Sequence, residues 1–108
     1  MNVSSIQLIP VGTAGTASVT SVAYDLGGQS LYSISVDFSG SNLVGTLTLE
    51  GSNNSDTAGF TTILNSSQAV TASADHMWNV SQAGYRWVRV VWVFTSGTGN
   101  IASKLTVK

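Results

Sequence analysis

Gly84-Tyr85-Arg86-Trp87-Val88-Arg89-Val90-Val91-Trp92-Val93-Phe94 decides the fold. It holds two of the three Trp and both Arg of the chain. Its Val, Trp, Tyr and Phe suit a pleated surface, where branched and flat side chains pack against cross-strand neighbours. One parity reads Arg86, Val88, Val90, Trp92, Phe94; the other reads Tyr85, Trp87, Arg89, Val91, Val93. Both are mostly apolar, so neither face of this strand is designed for water. Either the strand is covered on both sides, or its second face meets another subunit.

Working outward, the flanking segments alternate more simply. Residues 31–39 place Tyr32, Ile34, Val36 and Phe38 on one side and Ser33, Ser35 and Asp37 on the other. Residues 45–52 alternate again, with Leu47 and Leu49 inward and Thr46, Thr48 and Glu50 outward. Residues 101–108 close the chain, with Ile101, Leu105 and Val107 opposite Lys104 and Lys108. Turns are expected at 27–29, at 40–42 and at 95–100, where Gly and Asn supply the dihedrals. Residues 17–26 read as a strand with Val22, Tyr24 and Leu26 on one parity. Residues 6–9 read as a short strand ended by the only Pro, Pro10, with a flexible connection over 11–16. Residues 1–5 read as a loose lead. Residues 51–59 read as a polar loop and 60–64 as a short strand. Residues 65–82 predict one or two short strands with irregular joins, and one helical turn at most over 72–78.

This pattern predicts an all-β chain: a single antiparallel β-sandwich over residues 1–108, jelly-roll or discoidin-like, with about 7–8 strands. Its predicted core is Tyr32, Ile34, Val36, Phe38, Leu47, Leu49, Val88, Val90 and Trp92. A chain of 108 residues suffices for one such core without staples. None are available from cysteine, since there is none.

Charge is sparse. Asp, Glu, Lys and Arg make up 8% of the residues, against about 25% in ordinary soluble domains. Ser, Thr, Gly and Asn supply more than two residues in five. A net charge of −1 opposes close self-association very little. No basic patch points to nucleic acid, and no apolar run is long enough for a membrane span. Met1 is followed by Asn-Val-Ser-Ser, which lacks the basic and apolar regions of a signal peptide.

Two motifs resemble a known family. Leu49-Glu50-Gly51-Ser52-Asn53-Asn54-Ser55-Asp56, with Phe60-Thr61-Thr62-Ile63 beyond it, resembles the GSNDG…W/F-T-x-L hairpin of discoidin-like sandwiches. Tyr85-Arg86-Trp87-Val88-Arg89-Val90 resembles the RYVRV strand that follows it there. The pair, on a chain this short, is similar to small β-sandwich virion proteins of tailed bacteriophages. The resemblance covers a little over the C-terminal half. The apolar membrane spikes of discoidin domains have no counterpart here. The resemblance implies a structural component of a virion, made in the host cytoplasm, either a head-decoration or a tail-associated protein.

Catalytic motifs are missing. His76 is the only His, and its neighbour Asp75 is too close in sequence to orient an imidazole as a triad requires. The five acids are scattered, and the glycines precede no helix that would make a phosphate cradle. No enzyme activity, cofactor or metal is predicted. Asn53, Asn54 and Asp56 offer hard oxygens, but one carboxylate is too few for tight calcium binding, and such residues form Asx-turns readily.

The expectation is therefore self-assembly and binding to other virion proteins, through an interface of Tyr85, Trp87, Arg89, Val91 and Val93. Arg89, two residues from Trp87, is expected on the same face as a hydrogen-bonding or stacking guanidinium. The alternative is a carbohydrate-binding module on a phage appendage or bacterial surface protein. A glycan would then stack on Trp78 or Tyr85, with Asn53, Asn54 and Asp56 supplying polar contacts.

Overall fold

The computed structural model describes residues 4–27, 31–40, 42–81 and 84–107. All its regular structure is strand: β1 (Ser4–Ala14), β2 (Val19–Thr20), β3 (Tyr24–Asp25), β4 (Tyr32–Ser39), β5 (Val44–Ser52), β6 (Thr61–Thr62), β7 (Gln68–Val70), β8 (His76–Val80), β9 (Trp87–Ser96) and β10 (Asn100–Val107). They form two sheets with every pairing antiparallel. Sheet I runs β1-β10-β4-β8. Sheet II runs β2-β9-β5-β6, with β3 also on β9 and β7 also on β5. Among the described residues the strand segments number ten rather than seven or eight, because the borders of sheet II are broken into short pieces.

The sandwich arises from period-2 alternation. On sheet I, Tyr32, Ile34 and Val36 of β4 and Ile101, Leu105 and Val107 of β10 face inward. On sheet II, Leu47 and Leu49 of β5 meet Val88, Val90 and Trp92 of β9 on the same inner surface. These side chains form one buried cluster, with Phe38 partly buried against it. The opposite parity of β4, with Ser33, Ser35 and Asp37, lies on the outside of sheet I.

Two buried serines explain the broken borders. Between β2 and β3, the Ser21 hydroxyl accepts from the Val90 amide at 2.9 Å. Between β6 and β7, the Ser66 hydroxyl accepts from the Leu49 amide at 3.1 Å and donates to the Ile63 carbonyl at 2.7 Å. Each hydroxyl replaces a missing ladder partner, so the amides of Val90 and Leu49 stay paired where the neighbouring strands stop. The single strand predicted over residues 17–26 is thus two short ones, and Val22 between them is exposed while Leu26, of the same parity, is buried.

Pro10 does not end the first strand. β1 continues to Ala14 with register shifts between Gln7 and Ile9 and between Ile9 and Thr13. A bulge lets both Leu8 and Ile9 point inward, which strict alternation forbids. The Gln7 side-chain amide donates to the Ile9 and Ser103 carbonyls at 2.9 and 3.0 Å. Pro10 is tolerated because β1 is an edge strand.

Residues 65–82 yield β7 and β8, as the sequence predicted, as far as Ser81. No helical turn forms over 72–78, because Ala72 and Ser73 take positive φ of 54° and 57°. Ser73 there exchanges hydrogen bonds with Leu43: its hydroxyl accepts from the Leu43 amide, and its amide donates to the Leu43 carbonyl, both at 3.0 Å. Parts of several expectations lie outside the described residues: 1–3 of the N-terminal lead, 28 and 29 of the first turn, 41 of the second, Gln82, and Lys108.

Candidate functional site

The outer face of β9 carries the feature that the sequence singled out. Trp87, Arg89 and Val91 are partly buried there and Val93 is 49% exposed. Across the ladder they face Ser52, Glu50, Thr48 and Thr46 of β5. The chain covers part of this face itself. The Arg89 guanidinium pairs with Glu50 at 2.7 Å and lies 3.9 Å from the Phe60 ring centroid. The Arg86 guanidinium sits 5.2 Å from the Trp87 ring centroid. Both contacts use the attraction of a cation for an aromatic face. Each Arg also fixes a carboxylate, so the charges are neutralised beside the apolar stripe. Arg86 donates to both oxygens of Asp25 at 3.1 and 2.9 Å. That bidentate pair lowers the Asp25 pKa and raises that of Arg86.

Tyr85 does not share this face. The chain bends at Tyr85 and Arg86, where the Arg86 amide donates to both the Ser52 carbonyl and the Asn53 Oδ1. β9 begins only at Trp87, so alternation cannot be extended back across the bend. Tyr85 instead folds over the end of the sandwich and packs on the core. Its hydroxyl is hydrogen-bonded to that of Tyr32, and the two rings meet edge to face with centroids 6.4 Å apart. Arg86 turns to the exposed side, so it does not join Val88 and Val90 inside.

Burial raises the pKa of both phenols of this pair above the ordinary 10.0. The folded chain therefore holds these protons more tightly than the unfolded chain does. Stability from the pair is fully present below pH 10 and declines as pH rises above it. The urea midpoint is expected to fall above about pH 10. The double substitution Tyr32→Phe, Tyr85→Phe is expected to flatten that fall. An unchanged slope in the double variant would contradict this assignment.

The residues predicted for a ligand do not form one site. Trp78 pairs with Ile34 on the inner surface of sheet I and is only 8% exposed. Its indole Nε1 donates to the Ser66 carbonyl at 3.0 Å. It is a core side chain and offers no stacking surface. Asn53 and Asn54 line a groove of about 470 Å³ between the 53–59 loop, the 61–64 segment and Tyr85. Asp56 is exposed and does not line it.

The polar loop predicted over 51–59 starts later, because Gly51 and Ser52 belong to β5, and it is internally tied. The buried Ser52 hydroxyl accepts from the Asn54 amide at 3.1 Å and donates to the Ala58 carbonyl at 2.7 Å. The Ser55 hydroxyl accepts from the amides of Thr57 and Ala58 at 3.2 and 3.0 Å.

Asp75 serves a structural purpose. Its Oδ1 accepts from the Phe38 amide at 2.9 Å. His76 packs edge-on against Trp78 at 4.7 Å. No group of three or more His, Cys, Asp or Glu comes together among the described residues.

No protein-family model matches the sequence, and no curated protein matches it. Solved structures do share the fold. The crystal structure of SPBc2 prophage-derived protein YomS is similar over 98% of this chain and 92% of that one, with 19% identity and a TM-score of 0.62. That of PBSX exported protein XepA is similar over 96% of this chain, with 17% identity and a TM-score of 0.66. This chain spans 36% of the XepA chain. The antiparallel β-sandwich is thus an architecture shared with a prophage-derived protein and with part of an exported one. No helix among the described residues is long and apolar enough to cross a membrane.

Proposed function

We propose that this chain is a non-enzymatic structural component of a phage particle, decorating the head or associated with the tail. It works by packing against copies of itself and against neighbouring virion proteins. The observation that carries this reading is the outer face of β9, where Trp87, Val91 and Val93 stay partly open to water. Trp87, Val91 and Val93 lie on one sheet face around the Arg89–Glu50 pair, and large apolar side chains left partly open in this way offer a place for another protein to pack. A second copy is the occupant favoured by charge, because a net charge of −1 puts little repulsion between copies. The likeness to YomS, over nearly the full length of both chains, supports a phage setting for the fold.

Trp87 is the anchor of this surface, and Arg89 borders it with its charge already neutralised by Glu50. Trp87→Ala is expected to weaken self-association by about 2 kcal/mol, close to thirtyfold. Sedimentation equilibrium of the variant beside the parent chain measures this. A variant that assembles as tightly as the parent would remove Trp87 from the interface.

A further inference from the structure

We propose that the groove between the 53–59 loop and Tyr85 binds a neutral saccharide. Its walls depend on two glycines. A Cβ on Gly51 would lie 2.9 Å from the Tyr85 Cγ and Cδ2, so the ring lies directly over the bare Gly51 backbone. A Cβ on Gly59 would lie 2.3 Å from the Asn54 Nδ2, so the Asn54 amide lies across Gly59. Gly59 also has a φ of +75°, which L side chains rarely adopt. The Tyr85 ring is held by Tyr32 and the loop by Ser52, so both walls are set before any ligand arrives. Preorganisation of this kind lowers the ordering cost of binding.

The lining selects the chemical class. Tyr85, Ile63 and Leu64 give an apolar side, and Leu64 is 85% exposed. Asn54, Thr61 and Thr62 give amide and hydroxyl groups that both donate and accept. No charged side chain lines the groove. A phosphate-bearing or carboxylate ligand would therefore find no counter-ion. A purely apolar ligand would strand the polar wall. A sugar ring has an apolar face for the tyrosine side and a rim of hydroxyls for the amide and threonines. At about 470 Å³ the space is comparable with ordinary ligand sites. Two other grooves among the described residues lack this combination: one presents Tyr32, whose ring is buried, and another is lined by Asp37.

The test is an NMR titration of the intact chain, labelled with 15N, using lactose, cellobiose and N,N′-diacetylchitobiose as probes. At least one is expected to shift the amides of residues 51–54, 59–64 and 85, and the side-chain amide of Asn54. Asn54→Ala is expected to weaken that binding about tenfold, as loss of a ligand hydrogen bond should. Thr61→Val keeps the side-chain shape and is expected to act in the same direction. Lys104→Ala, at an exposed position of β10 in the other sheet, should leave the binding unchanged. The proposal is overturned if none of the three sugars shifts these amides up to its solubility limit. It is equally overturned if the shifts centre on Trp87 and Val91, or if the neutral peptide Gly-Ser-Gly produces the same shifts. Self-association is read from mass rather than from these shifts, so the two proposals fail separately.

Discussion

Trp92→Ala is expected to cost the fold about 3–5 kcal/mol. Trp92 is fully buried at the centre of sheet II, opposite Leu47 on β5 and Val19 on β2. Its ring packs against Phe38 across the sandwich, with centroids 5.1 Å apart. Its indole Nε1 donates to the Gly15 carbonyl at 2.9 Å, which ties the connection after β1 to the core. Alanine would leave a large void between the sheets and a buried carbonyl without its donor, and both effects act in the same direction. Urea unfolding monitored by far-UV circular dichroism measures the loss. A drop in melting temperature of about 10 °C or more should accompany it. A loss below about 1 kcal/mol would show that the core can close around the gap, contrary to the packing described.

The opposite substitution, adding atoms beside the same indole, should be nearly as damaging. Gly45 on β5 is buried. A Cβ there would lie 2.3 Å from the Val93 carbonyl oxygen and 2.4 Å from Trp92 Cη2. One obstacle is backbone in the β5–β9 ladder and the other is the rigid end of an indole. Neither can move without disturbing the sheet or the core. Gly45→Ala is expected to destabilise by about 3 kcal/mol, at the upper end for overpacking. Gly84→Ala is the control. Its Cβ would meet nothing within 4 Å among the described residues. It should be neutral, or slightly stabilising through the unfolded state. Equal effects at the two positions would mean that backbone freedom, rather than space beside Trp92, explains Gly45.

The strands that pair over their whole length were legible in the sequence. β4 and β10 pair without a register shift, and β5 and β9 do so beyond Val44 and Gly45, so the inward positions of Ile34, Leu47, Val90 and Leu105 follow from period 2. The misreadings fall where the backbone departs from that period. A bulge at Leu8 and Ile9 resets the parity of β1 and carries the strand past Pro10. A bend at Tyr85 and Arg86 exchanges their sides, because the Arg86 amide is drawn to Ser52 and Asn53. Neither departure alters the apolar pattern from which a face is assigned. Trp78 was unreadable for another reason. Met77, Trp78 and Val80 fit either face, and only the pairing of Trp78 with Ile34 decides which one is buried.

The candidate sites were legible in the same uneven way. Trp87, Arg89, Val91 and Val93 do share one outer face, as their parity requires. That Glu50, Phe60 and Arg86 would lean onto this face depends on loop closure and cross-strand register, which no single segment encodes. The two glycines that seat Tyr85 and Asn54 stand at the two ends of the stretch that reads as a polar loop, residues 51–59. Their purpose is visible only from what a Cβ would strike.

Self-assembly is the central claim, and the mass of the parent chain in solution tests it most directly. Sedimentation equilibrium at high micromolar concentration, with no ligand added, is expected to give a defined oligomer of the 11.2 kDa subunit. A chain that remains at the monomer mass under those conditions would contradict it.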